Sequence, residues 1–359
     1  MRIGIDAREL LGRTTGVGSY LGGLLREWET DARARAHEFI VYAPEPIAIA
    51  PHAAHFSSHT IPGSSGTWWE QILAPRACAV DRLDAWFAPA YTAPLRLRVP
   101  TVVAIHDLSF VAHPEWFRFR EGARRRWLTS QSAARAAAVI TISEFSKREL
   151  RDHLNVPAAR IHVIPPGIAT RFSPQPSALS SSVLFVGSVF NRRHVPDLIR
   201  AFAPIARAHP DVSLDIVGDN RSYPREDLRQ TIAAEQIGTQ VRWHEYVTGE
   251  ELASLYAGAR AFAFLSEYEG LGLTPLEALT AGVPPILLDT PVARESCGNA
   301  AIYVPANDVK ATTRGLEALL FDEAVRQRIL NAAPAELAKY SWPRAAAETL
   351  HVIEGAVRT

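Results

Sequence analysis

Cysteine and long apolar runs are scarce in this chain of 359 residues. Cys78 and Cys297 are the two cysteines, too few for a disulfide framework or a cysteine metal site. No run of about 18 apolar residues occurs, so no membrane-spanning helix is predicted. Asp6 interrupts the apolar start of the chain, which favours a strand over a signal peptide. We therefore expect a cytoplasmic protein.

The chain also lacks net charge, because 38 Lys and Arg balance 38 Asp and Glu. Residues 1–172 hold 21 basic against 16 acidic side chains, and the remainder holds 17 against 22. So small an imbalance argues against a nucleic-acid partner, although a basic first half could face an anionic surface. A hydrophobic content of 47% is ordinary for a globular protein, and the length suggests two domains.

What the sequence does contain is a repeated alternation of apolar strands and amphipathic helices, typical of parallel sheets covered on both faces. A stretch rich in Pro and Ser at 173–182 interrupts the alternation and predicts a linker. The predicted strands are Arg2–Asp6, Phe39–Ala43, Ala85–Pro89, Thr101–Asp107, Ala138–Ser143 and Ile161–Pro165, and then Val183–Gly187, Ser213–Gly218, Val241–Tyr246, Ala261–Leu265, Pro285–Leu288 and Ala301–Val304.

Two carboxylates, Glu269 and Glu277, flank a glycine-rich loop that follows the apolar strand Ala261–Leu265. Amide N–H groups at a helix start attract anions, and glycines let a ligand approach the backbone. One carboxylate on each side of such a site suits a nucleotide diphosphate sugar, whose hydroxyls lie on both sides of its phosphates. The alternative is local: Thr274 as N-cap and Glu277 as N3 would form a capping box, with Glu269 a simple loop carboxylate.

Three further segments are candidates for binding or catalysis. Gly16 and Gly18 follow a strand and precede a helix, as in a phosphate-cradling loop, although the third glycine of a dinucleotide fingerprint is missing. His106 ends an apolar strand, where it is either a cleft residue or a satisfied core histidine. Arg192 and Arg193 follow another strand, where they could hold phosphate or simply be solvated. A dehydrogenase remains an alternative for the glycine loop.

The order of these motifs resembles the retaining glycosyltransferases of the GT-B fold, a large family of mannosyl- and glucosyltransferases. Glu269 to Glu277 matches the E-x7-E signature of that family. The resemblance extends over nearly the whole chain, and its other segments are Ile3–Arg8 with Thr15–Tyr20, Val103–Leu108, Ile140–Lys147, Val163–Gly167, and Val186–Ser188 with Arg192–His194.

The resemblance implies an α/β protein with two Rossmann-like, doubly wound domains and a cleft between them. The first domain would comprise 1–172 with a returning helix at 342–359, and the second 183–341. The first would supply the acceptor side, and the second would bind the nucleotide-sugar.

The resemblance also assigns roles. Glu277 would hold the ribose, Glu269 the 3- and 4-hydroxyls of the donor sugar, and His106 would lie beside that sugar without acting as a nucleophile. Arg192 and Arg193 would grip the diphosphate, with Arg193 in the place of the usual lysine. The remaining donor-binding residues would be the loop glycines Gly16 and Gly18 and the helix start, Gly270, Leu271, Gly272 and Leu273.

Neither a metal nor a cofactor is expected, because the Asp-x-Asp motif of the other main glycosyltransferase fold is missing. The segment His106–Phe110 with His113–Phe117 looks most like mannosyltransferases of surface-polysaccharide assembly, which favours GDP-mannose over UDP-glucose or UDP-N-acetylglucosamine. An inactive GT-B scaffold is the alternative of another class. The expected acceptor is a glycan or a lipid-linked sugar.

A basic and aromatic segment lies between Trp116 and Trp127. It predicts either an acceptor or membrane-surface patch, with peripheral contact to anionic lipid at the inner membrane face, or a solvated helix edge with two buried aromatics. The arginines of this predicted patch are Arg118, Arg120, Arg124, Arg125 and Arg126.

Overall fold

The computed structural model of the protein describes residues 1–12, 16–47, 53–168 and 181–358. The chain divides into two compact units, one formed by Met1–Gly167 with Tyr340–Thr359 and the other by Ile168–Lys339. Thr15 of the predicted glycine loop and 173–180 of the predicted linker lie outside the described residues. Among the described helices, none is both long and apolar enough to span a bilayer.

The first unit is built on one parallel sheet in the order β3-β2-β1-β4-β5-β6-β7. Its two faces carry separate apolar cores, since Val102 and Ala104 of β5 join one cluster while Val103 joins the other. Its strands are β1 (Arg2–Asp6), β2 (Glu38–Ala43), β3 (Phe56–Thr60), β4 (Ala85–Ala88), β5 (Thr101–Ala104), β6 (Ala138–Thr141) and β7 (Ile161–Val163).

Helices cover both faces of this sheet. They are α1 (Gly16–Thr30), a π-helix at Trp69–Leu73 that continues into α2 (Ala74–Asp81), α3 (Ser109–Ala112), α4 (Phe119–Arg135) and α5 (Glu144–Leu154). Short 3-10 turns lie at Arg8–Leu10, Ala34–Ala36, Pro114–Trp116 and Ala158–Arg160.

The second unit repeats the plan with a parallel sheet in the order β10-β9-β8-β11-β12-β13. The order reverses between β8 and β11, so the loops that follow these two strands are neighbours at the carboxyl edge, where open α/β sheets bind ligands. The strands are β8 (Ser182–Val186), β9 (Ser213–Val217), β10 (Val241–His244), β11 (Ala259–Phe264), β12 (Pro285–Leu288) and β13 (Ile302–Val304).

The helices of the second unit are α6 (Val195–Ala208), α7 (Leu228–Glu235), α8 (Gly249–Gly258), α9 (Leu273–Thr280), α10 (Pro291–Cys297), α11 (Val309–Phe321) and α12 (Glu323–Leu337). A 3-10 turn at Asn191–Arg193 joins β8 to α6.

The last helix, α13 (Trp342–Arg358), belongs to the first unit. Its Trp342 ring lies against Gly23 and Gly167, where a Cβ atom would overlap the ring. Farther along, the Trp28 indole donates a hydrogen bond of 2.9 Å to the Ala346 carbonyl. The buried stripe Ala345, Ala346, Leu350 and Ile353 completes one core of the first sheet.

The predicted α/β architecture of two Rossmann-like domains is confirmed. One strand was not predicted: β3, whose sequence Phe-Ser-Ser-His-Thr is polar. It lies at the edge of the sheet and is partly exposed, so it lacks the apolar pattern that reveals the buried strands.

Candidate active site

An ion pair between Arg193 and Glu269 joins the loops after β8 and β11. Arg193 Nε and Nη2 both lie 2.9 Å from Glu269 Oε1, and the Ser266 hydroxyl donates to the same oxygen at 2.9 Å. No hydrogen bond from a described residue reaches Oε2. The two side chains are only 13% and 18% exposed, so the pair is largely buried while one carboxylate oxygen stays uncommitted.

The guanidinium of Arg193 is fixed from several sides. Nη1 donates to the Ser188 carbonyl at 2.9 Å, and the Phe264 ring centre lies 4.9 Å away. Gly187 has a φ of +146°, and a Cβ there would meet Nη1 at 2.6 Å, so this approach needs glycine. An arginine has five N–H donors. Among the described residues, Nε and Nη1 each donate one hydrogen bond and Nη2 lies against Glu269, which leaves at least one N–H on Nη1 and one on Nη2 for a ligand.

Arg192 also ties the two loops together. Its Nε donates to the Tyr268 carbonyl at 3.2 Å, and its guanidinium lies 4.3 Å from the centre of the Phe190 ring. The backbone N–H of Glu267 donates to the Arg192 carbonyl at 2.9 Å. Arg192 and Arg193 are both half-buried, so the interpretation of this pair as solvated surface is wrong.

The capping box predicted at the start of α9 is not formed. The helix starts at Leu273 after Gly272, which is in the left-handed region with a φ of 86°, and no side chain caps it. Glu277 therefore lies four residues into α9 and is half-buried. Burial, with a smaller contribution from the charge of Glu277, raises the pKa of Tyr256 well above its usual value. Helix capping therefore does not explain why position 277 carries a carboxylate.

In the first unit, His106 is a buried, neutral imidazole. Its Nε2 donates to the Pro89 carbonyl at 2.7 Å, which assigns the proton to Nε2 and leaves Nδ1 as an acceptor. Burial lowers the pKa of His106, and the hydrogen bond to Pro89 and the charge of Asp107 offset this only in part. The rings of Tyr20 and Tyr91 lie steeply inclined to the imidazole, with interplanar angles of 77° and 71° and centroids 4.7 and 5.7 Å away.

Asp107 forms a second, partly buried polar cluster beside His106. Its Oδ1 accepts from the backbone and hydroxyl of Ser109 at 2.9 and 2.6 Å, and its Oδ2 accepts from the Tyr91 hydroxyl at 2.6 Å. Burial would raise the pKa of Asp107, but these hydrogen bonds and the charge of Arg125 outweigh it and lower the pKa. Arg125 lies over Tyr91 and Phe110, at 4.6 and 4.4 Å.

The predicted basic patch is therefore divided. Arg125 belongs to the Asp107 cluster, and Arg126 is half-buried, donating to the Phe110 carbonyl at 3.3 Å. Assigning both to one surface patch was wrong, because they lie on the inner side of α4. Arg118, Arg120 and Arg124 are exposed.

Exposed aromatic rings accompany the three exposed arginines. Phe119 is 82% exposed and Trp127 58%, so the alternative that buries two aromatics does not hold for Trp127. Trp68, 65% exposed, follows Thr67, whose hydroxyl accepts from Arg124 Nη1 at 3.0 Å. The exposed surface thus combines three aromatic rings with Arg118, Arg120 and Arg124; we call it the aromatic-basic surface.

The two predicted loop glycines of the first unit lie at the start of a helix. Gly16 is the first residue of α1, and Gly18 is buried in its first turn. The loop before them lies outside the described residues, so their role at the donor phosphate stays a prediction. Within the described ranges, no three His, Cys, Asp or Glu side chains gather in a way that could hold a metal ion.

Two residues that contact the candidate site residues were not predicted from the sequence. Ser266 donates to Glu269 Oε1, and its position shortly after a buried strand would have been the signal. Tyr91, which contacts both His106 and Asp107, lies in the turn after β4. Its backbone is left-handed, with a φ of 62°, and nothing in the sequence predicts this conformation.

Known proteins resemble this chain over both halves. Residues 15–172 match the model described as Glycosyltransferase Family 4, and residues 171–336 match Glycosyl transferases group 1. O-antigen chain mannosyltransferase B of Escherichia coli is 26% identical over 302 residues, which is 78% of each chain.

Solved structures share the fold. Sucrose-phosphate synthase from Thermosynechococcus elongatus superposes with a TM-score of 0.78 at 17% identity, over 99% of this chain and 98% of the other. HepE of Anabaena, solved with UDP and glucose, superposes with a TM-score of 0.76 at 17% identity, over 99% and 100%.

Proposed function

We propose that this chain is a retaining, metal-independent hexosyltransferase of the GT-B fold, since residues 15–172 and 171–336 match the models of two glycosyltransferase families. The proposed donor is a nucleotide-sugar, GDP-mannose foremost, and the proposed acceptor is a glycan or a lipid-linked sugar in surface-polysaccharide synthesis.

The observation that carries this proposal is the asymmetric use of the Glu269 carboxylate. Oε1 accepts from Arg193 and Ser266, while Oε2 has no partner among the described residues. A carboxylate oxygen in this state accepts hydrogen bonds from sugar hydroxyls, and such charge-assisted bonds are the stronger kind. The two uncommitted N–H groups of Arg193 suit two phosphate oxygens at once. One ion pair would therefore address both the sugar and the diphosphate.

Glu277 supports the nucleotide part of the proposal. Its carboxylate lies on the second turn of α9, behind the glycine-rich loop, and no capping role accounts for it. We assign it to the ribose hydroxyls. The loop Gly270–Leu273 would approach the diphosphate, where the positive end of the helix dipole favours anions.

The proposed chemistry needs no protein nucleophile. The bond from the anomeric carbon to the phosphate oxygen breaks while the acceptor oxygen attacks from the same face, and the acceptor proton passes to the leaving phosphate. Arg193 would stabilise the charge that develops on that phosphate, as preorganised donors do elsewhere. The role of His106 beside the donor sugar stays a prediction; its acceptor, Nδ1, has no hydrogen bond with a described residue and is compatible with a hydroxyl donor.

Mannose as the transferred sugar is supported by the O-antigen mannosyltransferase relative and by the segment His106–Phe110. A UDP-glucose or UDP-N-acetylglucosamine donor is the alternative, which the UDP and glucose of the HepE structure illustrate for this fold.

A thermal-shift panel of GDP, UDP and ADP decides between these donors. A ligand at 100 times its Kd stabilises a protein by about 2.7 kcal/mol. A response to GDP with release of mannose from GDP-mannose supports the proposal. A response to UDP favours the alternative, and nucleotide binding without transfer or hydrolysis of any donor would indicate an inactive scaffold.

For the acceptor side, we propose that the aromatic-basic surface meets an anionic membrane. Its rings Trp68, Phe119 and Trp127 would lie at the headgroup level, while Arg118, Arg120 and Arg124 contact lipid phosphates. A peripheral contact of this kind would bring the enzyme to lipid-linked acceptors.

A further inference from the structure

The chain leaving β4, at Pro89–Ala93, is held by more contacts than a turn requires. Tyr91 has a φ of 62°, in the left-handed region that bulky side chains rarely adopt. Such a backbone persists only where its surroundings over-determine it, and it is found most often at functional sites. Neither the motifs nor the proposed mechanism account for this strain.

Hydrogen bonds anchor two residues of this turn, Tyr91 and Thr92. The Tyr91 N–H donates to the Ala104 carbonyl at 2.8 Å, and its hydroxyl donates to Asp107 at 2.6 Å. The Thr92 hydroxyl donates to Glu70 Oε1 at 2.5 Å. The turn is therefore tied to β5 on one side and to the π-helix on the other.

Glu70 is itself immobilised by a buried charge cluster. Arg8 Nη2 lies 2.6 Å from Asp6 Oδ2 and 3.0 Å from Glu70 Oε1, and the two acidic residues are 4% and 2% exposed. Glu70 Oε2 accepts from Gln71 Nε2 at 3.1 Å. Because both oxygens of Glu70 are engaged, the cluster is an anchor rather than a ligand site. Glu70 lies on a π-helix, an element that is frequent near functional sites.

The other end of the turn controls His106. The Pro89 carbonyl accepts the Nε2 proton at 2.7 Å, and the Tyr91 ring packs 5.7 Å from the imidazole. The direction of this one carbonyl therefore decides which nitrogen of His106 carries the proton. If the carbonyl turned away, the Nε2–H tautomer would lose the hydrogen bond that stabilises it. The proton could then move to Nδ1, which would no longer be able to accept a hydrogen bond.

We propose that Thr92 and Glu70 are positioning residues, which hold the turn after β4 so that the Pro89 carbonyl keeps His106 in its Nε2–H tautomer with Nδ1 free to accept a substrate hydroxyl. The catalytic consequence rests on the proposed glycosyltransferase function. The effect on the tautomer does not.

The test uses Thr92→Val, which keeps the side-chain shape and removes only the hydroxyl, and Thr92→Ser, which restores it. We expect Thr92→Val to lower kcat on the order of tenfold with donor KM little changed, since small displacements near reacting atoms have large effects. NMR of histidine-labelled protein, with His106 assigned by its loss in His106→Gln, should show Nε2–H in wild type and Thr92→Ser and a tautomer mixture in Thr92→Val.

Thr101→Val is the matched control, because its hydroxyl donates to the Val99 carbonyl at 3.3 Å in the same unit. It should leave kcat and the His106 signals unchanged. An unchanged tautomer in folded Thr92→Val overturns the proposal, as does a Thr92→Ser variant as impaired as Thr92→Val. If wild type transfers no sugar, the proposed function fails, while the NMR comparison still decides the role of Thr92.

Discussion

Removing Arg193 should affect stability and catalysis in separable ways, which a double-mutant cycle with Glu269 resolves. The pair links the loops after β8 and β11, and its side chains are 13% and 18% exposed. Among the described residues, Arg193→Ala leaves the Glu269 carboxylate with the Ser266 hydroxyl as its hydrogen-bond donor. The cycle comprises Arg193→Ala, Glu269→Ala and the double variant.

For stability, breaking a fully buried ion pair by removing one partner costs 3–5 kcal/mol, and residual exposure reduces this to about 2–3 kcal/mol here. The double variant should lose less than the sum of the single variants, with a coupling of about 1–3 kcal/mol. Calorimetry reports this directly, since 1 kcal/mol shifts Tm by about 2–4 °C in a unit of this size.

For catalysis, the double variant should be no milder than the single variants. Arg193→Ala should lower turnover by about 10²–10³, the effect of removing one preorganised group that stabilises developing charge. Adding Glu269→Ala then removes the proposed contacts to the sugar and should lower turnover further. The stability losses should therefore be less than additive in the double variant, whereas its turnover should fall below that of either single variant.

Arg242→Ala is the control, because Arg242 binds Asp215 with two contacts of 2.7 Å on neighbouring strands of the same unit. It should lower Tm and leave kcat near that of wild type. A kcat for Arg193→Ala within a few-fold of wild type would refute the assignment to the leaving diphosphate. Strictly additive Tm losses would refute the pairing itself.

The remaining predictions concern the ribose, the metal and the membrane. Glu277→Gln should weaken nucleotide binding by about 1.5–3 kcal/mol in calorimetric titration, because it loses charge-assisted bonds to the ribose, and an unchanged Kd would contradict that role. Donor turnover should persist in excess chelator, because arginine charge replaces a cation at the diphosphate; a strict magnesium or manganese requirement would contradict this. Replacing Arg118, Arg120 and Arg124 with Ser should abolish salt-sensitive sedimentation with anionic vesicles and leave donor hydrolysis unchanged; equal sedimentation of variant and wild type would argue against a membrane contact.

The buried strands could be predicted because parallel strands are apolar on both faces, whereas the exact strand ends could not. The strand predicted for Thr101–Asp107 ends as β5 at Ala104. Ile105 and Leu108 are fully buried although they follow the last residue of β5, so the apolar run extends beyond the strand. Hydrophobicity reports burial, while strand ends depend on hydrogen bonds to neighbours that the sequence does not identify.

The proximity of Arg193 and Glu269 was predictable only in part. Each follows a predicted strand, and the carboxyl ends of parallel strands share an edge, but the sequence does not say that β8 and β11 are adjacent. The capping box failed for a local reason: Gly272 adopts a left-handed conformation and starts α9 before Thr274. A glycine permits this backbone, which the motif Thr-Pro-Leu-Glu does not reveal.

The basic segment illustrates how helical geometry divides a run of like charges. Arg120 and Arg124 are one turn apart on α4 and share its exposed face, whereas Arg125 is turned about 100° inward, onto Tyr91 and Phe110. Its charge also helps to lower the pKa of Asp107, which the Tyr91 hydroxyl binds. Replacing Arg124, Arg125 and Arg126 together would therefore combine loss of lipid contact with damage beside His106. A membrane test must leave Arg125 in place, since its removal would slow turnover even in the absence of vesicles.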